Sequence, residues 1–307
     1  MGRDFTNKEN KTEPIRQHLV PKLYLKNFAI DGKSVYVKQR ESGTIFKANI
    51  EKIAVEKNFY TVNSLKDKYE WEKRYATIIE PQFQKIIKKV IFNGTTPLMK
   101  DRVNIISVEE KKMLSLLIVF QMMRSKKVRE YEEKLYQKLG PKIITDTRRK
   151  LEIFNRQDIL EKLDNYNFDD NLLKSILFEL HFDIDSIEKY ATILFDKKWL
   201  FYCIDLRSKT NFVSSDTPII VIDSKKINHG LFHCGISSHN AVIGFPISPN
   251  VLLGMYSNEL VKKEYDLKKI TICEKKDISF IKEFNTQQLK QCDKFVIAKT
   301  KEILDYL

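Results

Sequence analysis

WLFYCIDLR, residues 199–207, is where the chain changes character. Upstream, between about 67 and 196, apolar residues recur every three or four positions, the spacing of a buried helix face. From 199 onward they come in β-branched or aromatic runs separated by turn residues. These are WLFYCIDLR itself, NFVSSDTPIIVID (211–223), NAVIGFPISPNVLLGMYS (240–257) and KFVIAKT (294–300). Such runs fit a pleated, half-buried surface. A helix over roughly 277–291 is expected before the last of them. Helices gathered first and strands gathered later predict an α+β fold.

Toward the N-terminus, KSVYVKQRESGTIFKANI (33–50) alternates apolar and polar residues on either side of Glu41-Ser42-Gly43. That pattern predicts a β-hairpin with a short glycine-containing loop. NFYTV (58–62) reads as a further short strand. In DKYEWEKRYATIIEPQFQKIIKKVIF (67–92), Trp71, Tyr75, Ile78 and Ile79 share one helix face, continued by Phe83, Ile86, Ile87 and Val90. Pro81 predicts a kink or a restart within it, and NGTTP (93–97) predicts a break. Ser107 with Glu110 forms a capping box. It opens a long helix expected to reach Leu139 and to stop at Gly140-Pro141. Two or three more helices are expected between 142 and 196. The predicted architecture is an N-terminal β-hairpin, a central helical block, and a C-terminal, mainly antiparallel sheet with one helix. It is read as a single domain over 16–307. Residues 1–15, charged and aperiodic, read as a disordered tail.

A chain of 307 residues with 42% hydrophobic content is long enough to bury a sizeable core. Lys and Arg number 54 against 41 Asp and Glu, for a formal net charge of +13. That excess favours an anionic partner, nucleic acid before a membrane surface. The lysine, isoleucine and asparagine enrichment that an AT-rich genome imposes would produce the same excess. The four cysteines, Cys203, Cys234, Cys273 and Cys292, form no CxxC pair. They are expected to be reduced thiols of a cytoplasmic protein. The N-terminus carries no apolar signal segment. The run MLSLLIVFQMM (113–123) is shorter than the roughly 20 residues a membrane span needs, so it is expected to be a core helix.

Four places carry residues suited to chemistry. His18 lies in QHLVPKLYLKNF (17–28), where Pro21 biases Val20 toward an extended backbone. From an extended entry segment an imidazole can act as acid, base or metal ligand; it can equally anchor the arm through a backbone carbonyl. Glu70, Glu72 and Glu80 sit among aromatic residues on the first long helix. Glu80 lies on or beside the apolar stripe and needs a partner if buried, for which Arg124 is the candidate. SSDTP (214–218) places Asp216 in a turn at a strand end, where sites are often built. HGLFHCGISSH (229–239) holds three histidines and a cysteine, at spacings that match no zinc ribbon or finger. P-loop, Rossmann, HExxH and GxSxG signatures are missing.

QHLVPKLYLKNF, the following hairpin, NFYTV, the EW…IIEP helix, QMMR, FVSSDTPII, FPISP and FNTQQLKQCDKFVIA together resemble the DUF4238 family, a bacterial family of unknown function. The resemblance spans about residues 16–300. It implies that the recurring polar positions are Gln17, His18, Glu80, Arg124, Ser215, Asp216 and Asn285. It supplies no reaction.

Two functions are expected from these residues. In the first, His18, Glu80, Arg124 and Asp216 converge in one polar pocket and are catalytic. His18 and Asp216 then hold a divalent metal, and Gln17, Ser215 and Asn285 complete the wall. The positive charge directs that pocket to nucleic acid, as a nuclease-like hydrolase in a phage-defence or toxin setting. In the second, the protein is a non-catalytic module that binds nucleic acid or protein, and the same polar set is an internal structural network.

Overall fold

The computed structural model describes residues 15–96, 103–157, 159–160, 170–225, 235–272 and 274–307. Most of the tail expected over 1–15, most of the histidine-rich loop and Cys273 lie outside the described residues. The fold is α+β, as the segregation of patterns predicts. Strand β1 (Arg16–His18) leads into a short helix α1 (Lys22–Leu25), then the hairpin β2 (Ser34–Gln39) and β3 (Ile45–Asn49), then β4 (Val55–Lys57). Gly43 closes the hairpin loop at φ +68°, a left-handed backbone that glycine adopts without steric penalty.

The hairpin is not a separate N-terminal unit. It continues through the last strand, β11 (Phe295–Ala298), into β6 (Ser214–Ser215), in the order β3-β2-β11-β6. The two ends of the chain therefore share one sheet. The second sheet holds β5 (Lys198–Ile204), β7 (Ile220–Asp223), β8 (Ala241–Ser248), β9 (Val251–Tyr256) and β10 (Lys268–Ile272), in the order β10-β5-β9-β8-β7. It is antiparallel except at its edge, where β10 runs parallel to β5. Three of the five residues of β10, KKITI, are lysine or threonine, so its apolar alternation is too sparse to mark it as a strand in isolation. NFYTV is not a strand either. β4 ends at Lys57, where Asn58 takes φ +52° and turns the chain, and Tyr60 and Val62 are buried in the turn that follows.

Helix α2 (Glu70–Arg74) runs through a π-helical segment, Tyr75–Ile79, into α3 (Glu80–Thr95). Pro81 sits in the first turn of α3, where its missing N–H is tolerated. The wider π turn rotates the expected apolar face. Trp71 and Tyr75 are fully buried, yet Ile78 is 60% exposed. Helix α4 (Val108–Met123) begins with the Ser107–Glu110 capping box in both directions. The long helix expected to stop at Gly140-Pro141 instead breaks at Arg124-Ser125. A new helix, α5 (Lys126–Ile153), then passes through Pro141. One missing amide donor in a 28-residue helix is outweighed by the turns on either side. At Arg124 the side chain is drawn into the core, and Ser125 is extended. Helices α6 (Asp170–His181) and α7 (Ile184–Asp196) complete the block.

One hydrophobic cluster runs from Leu19 through the helical block to Ile297, so the arm, helices and both sheets share a core. Helix α8 (Glu274–Gln291) covers one end of the larger sheet, and α9 (Lys301–Asp305) closes the smaller one. Gly244 allows α8 to approach: a Cβ there would stand 2.6 Å from the Phe284 ring. Cys203 and Cys292 are buried thiols, neither of them in a disulfide. No helix among the described residues is long and apolar enough to cross a membrane.

Candidate functional site

The arm is held in place by its own motif. Pairing of β1 with β4 sets Gln17 opposite Glu56 and His18 opposite Val55. The fully buried Gln17 carboxamide accepts from the Tyr60 amide at 2.5 Å and donates to the Thr61 hydroxyl at 3.2 Å. His18 Nε2 lies 3.4 Å from the Ile50 carbonyl. Burial, with Lys22 and Arg124 nearby, lowers its pKa to about 4 despite that carbonyl, so the ring is neutral at pH 7.

Arg124 is the centre of the first cluster. It is 2% exposed, and every nitrogen of its guanidinium is used within the protein. Nε donates to the Tyr60 hydroxyl at 3.2 Å, Nη1 to Glu80 Oε1 at 2.8 Å, and Nη2 to the His18 carbonyl. The guanidinium carbon stands 4.5 Å from the centre of the Tyr75 ring, a cation–π contact. The Glu80–Arg124 pair expected from sequence therefore forms, and it ties α3, α4 and the arm together. Next to it lies Glu72. Its carboxyl is pushed up to about 7 by burial and by Glu80, against the pull of Arg124. Among the described residues its Oε2 has no hydrogen-bond partner. A second buried arginine, Arg129, covers Phe59 and Trp71, each at 4.8 Å from the ring centre.

Asp216 is the centre of the second cluster. Its Oδ1 accepts from the Asp293 amide at 2.8 Å; its Oδ2 accepts from Lys294 at 2.7 Å and Phe295 at 3.0 Å. Burial raises its pKa and those three amides work against the rise. Ser215 Oγ donates to Gln288 Oε1 at 2.8 Å, and Asn285 accepts from Val213 N and donates to the Asn211 carbonyl. Ser215, Asp216 and Asn285 thus fasten β6 and the start of β11 to α8.

The structure brings Gln17, His18, Glu80 and Arg124 into one cluster, and Ser215, Asp216 and Asn285 into another. Among the described residues, Asp216 shares no hydrogen bond or ion pair with His18, Glu80 or Arg124. An ion pair joins the two neighbourhoods: Lys294, whose amide binds Asp216, reaches Glu56 at 3.0 Å. No group of three or more His, Cys, Asp or Glu among the described residues is arranged to hold a metal ion. Among the described residues, the hydrogen bonds to the Asp216 carboxylate all come from the backbone, a donor set suited to closing a turn.

Sequence reasoning missed Tyr60, which lies inside the segment read as a strand. It also missed Gln288, whose place one helical turn after Asn285 was the available signal.

Glu72 gives a pH test. A carboxyl whose pKa rises from 4.5 to about 7 on folding stabilises the fold fully below pH 4.5, and that contribution is lost as pH rises toward 7. Glu72→Gln is expected to match wild type at pH 4.5 and to exceed it at pH 8 by up to about 3 kcal/mol. His18 acts in the opposite sense, losing stability as pH falls from 6.5 toward 4, and cancels in the difference. Urea melts of both proteins at the two pH values measure it. A constant difference across pH removes the assignment.

No curated protein and no solved structure matches the chain. The family model described as protein of unknown function (DUF4238) matches residues 16–302, nearly the whole length, and the chain belongs to that family.

Proposed function

We propose that the protein is a non-catalytic nucleic-acid-binding module whose buried polar residues form a scaffold. The observation that carries this reading is a row of exposed lysines, Lys134, Lys138 and Lys142, one turn apart along α5. Arg149 and Lys150 extend the basic character toward the helix end, and both are exposed. Ammonium groups at such spacing neutralise phosphates and release counterions. Arg124, by contrast, is saturated inside the protein, which leaves a phosphate no free guanidinium at that centre.

The test is fluorescence anisotropy with labelled single-stranded RNA, single-stranded DNA and duplex DNA between about 50 and 200 mM salt. Affinity is expected to fall steeply with salt. Reversing Lys134, Lys138 and Lys142 to Glu should weaken all sequences alike and flatten the salt slope by about two to three. A flat salt response overturns the reading.

A hydrolase reading draws on Glu72, a carboxyl with a pKa of about 7, the value that suits general acid–base catalysis at neutral pH. Incubation of nucleic acid with protein and divalent metals separates the two. Cleavage by wild type that disappears in Glu72→Gln, a variant expected to be at least as stable at pH 8, supports hydrolysis and removes the non-catalytic reading.

A further inference from the structure

The two larger sheets have four edge strands between them, and the chain itself covers three. Beside β10, residues 103–105 pair with the strand, and the Lys269 amide donates to the Val103 carbonyl at 3.1 Å. Along β7, the Gln291 carboxamide of α8 takes both the amide and the carbonyl of Val221, at 3.1 and 2.9 Å. Beside β6, α8 closes the edge again, through Asn285 on the Val213 amide and Gln288 on the Ser215 hydroxyl. The fourth edge, β3, has no such cover among the described residues.

Strand β3 pairs with β2 over five residues in unbroken register, from Ile45 opposite Lys38 to Asn49 opposite Ser34. The backbone bonds of an antiparallel strand alternate between its two sides. The Gln39 amide donates to the Thr44 carbonyl and the Ile50 amide to the Lys33 carbonyl, each at 2.9 Å. Residues 44, 46, 48 and 50 therefore bond inward to β2, and the N–H and C=O of Ile45 and Lys47 point out of the sheet. Among the described residues these four groups have no hydrogen-bond partner. Sheet edges are ordinarily blunted by proline, a bulge or inward-pointing charges. The only charged side chain on β3 is Lys47, and its ammonium leans toward Asp31 at 3.9 Å. Phe46 is 38% exposed, with its ring edge-on to Phe295 at 6.2 Å.

We propose that β3 is the pairing edge of a homodimer, in which the same strand of a second copy adds antiparallel to it. The occupant follows from the complementarity of β3 with itself. A two-fold axis through Phe46 sets Ile45 opposite Lys47 of the second copy, and Lys47 opposite its Ile45. These are the residues with outward backbone groups, so each pair exchanges both hydrogen bonds and every open group on both strands is satisfied. Phe46 meets Phe46 at the axis, and Thr44 meets Ala48 on the same face, an aromatic cross-strand pair flanked by small residues. No two like charges stand directly opposite, whereas an axis at Lys47 would set ammonium against ammonium. The contact is isologous and closes at two copies, joining two four-stranded sheets into one.

Sedimentation velocity of the full chain, from micromolar to millimolar concentration, tests this. The mass is expected to rise to twice that of one chain. The dimer should hold or strengthen as salt screens the net charge of +13. In hydrogen exchange, the amides of Ile45 and Lys47 should gain protection with concentration. Phe46→Glu sets two carboxylates together at the axis. Lys47→Pro removes an outward donor and no bond to β2. Each substitution acts twice across the axis, and each should weaken the dimer at least tenfold, with the melting temperature at low concentration little changed. Phe92→Ser, at a side chain 67% exposed on α3, should leave the dimer intact. A chain that stays monomeric at millimolar concentration overturns the inference and leaves the edge to a strand of a different protein. So does a dimer indifferent to both β3 variants. A dimer that dissociates as salt rises, or on nuclease treatment, is bridged by nucleic acid; it supports the proposed function and overturns this inference.

Discussion

Arg124→Ala is expected to lower the unfolding free energy by about 3–5 kcal/mol, the range for removing one partner of a buried ion pair. The change leaves Glu80 without its cation and strips the Tyr60 hydroxyl and the His18 carbonyl of a charged donor. It also empties the space over the Tyr75 ring, where the guanidinium now packs at 4.5 Å. Urea unfolding monitored by tryptophan fluorescence is a suitable measurement, since Trp71 packs at a tilt against Tyr60 in the same cluster. The double variant Arg124→Met with Glu80→Leu should recover much of the loss, because no charge is then left buried alone. A single variant within 1 kcal/mol of wild type would show that this cluster is not what anchors the arm.

Asp216→Ala is expected to be nearly as damaging, at about 3–5 kcal/mol, because its carboxylate serves three backbone amides at once. Hydrogen bonds to a charged acceptor are each worth roughly 1.5–3 kcal/mol, and they are not fully additive. Asp216→Asn keeps one acceptor oxygen and should lose less. Hydrogen exchange locates the effect: the amides of Asp293, Lys294 and Phe295 should lose protection first, followed by β11. Uniform protection in Asp216→Ala would assign the carboxylate to something other than closing this turn.

Much of the local structure follows from short patterns. The β2–β3 hairpin follows from alternation around Glu41-Ser42-Gly43, and the start of α4 from Ser107 and Glu110. The helix expected over 277–291 is α8, Glu274–Gln291, three residues longer at its start. These signals are local, because the residues that decide them lie within a turn or a strand of each other. Ile78 escaped the same reasoning. Its exposure depends on a π turn, which shifts the phase of the helix without leaving a mark in apolar spacing. Pro141 escaped it too. A helix that continues on both sides supplies enough hydrogen bonds to carry one proline.

The candidate site divides along the same line. The sequence marks His18, Glu80, Arg124 and Asp216 as polar residues in places that demand a partner, and it proposes the Glu80–Arg124 pair. It carries no information on whether Asp216 faces that pair or a turn of its own. Glu72 is one carboxylate among several in the sequence; only its burial beside Glu80 moves its pKa to about 7.

By itself, then, the chain's sequence determined the class of fold, the places where elements begin, and the residues too polar to be buried alone. Each of these depends on neighbours a few positions away, whose contacts form whatever the rest of the chain does. Tertiary structure alone decided that the first hairpin and the last strand share a sheet, and that the polar residues form two centres. Those outcomes join residues tens to hundreds of positions apart. They are fixed by which burial leaves the fewest charges and amides unpaired, a property of the whole chain that no short window contains.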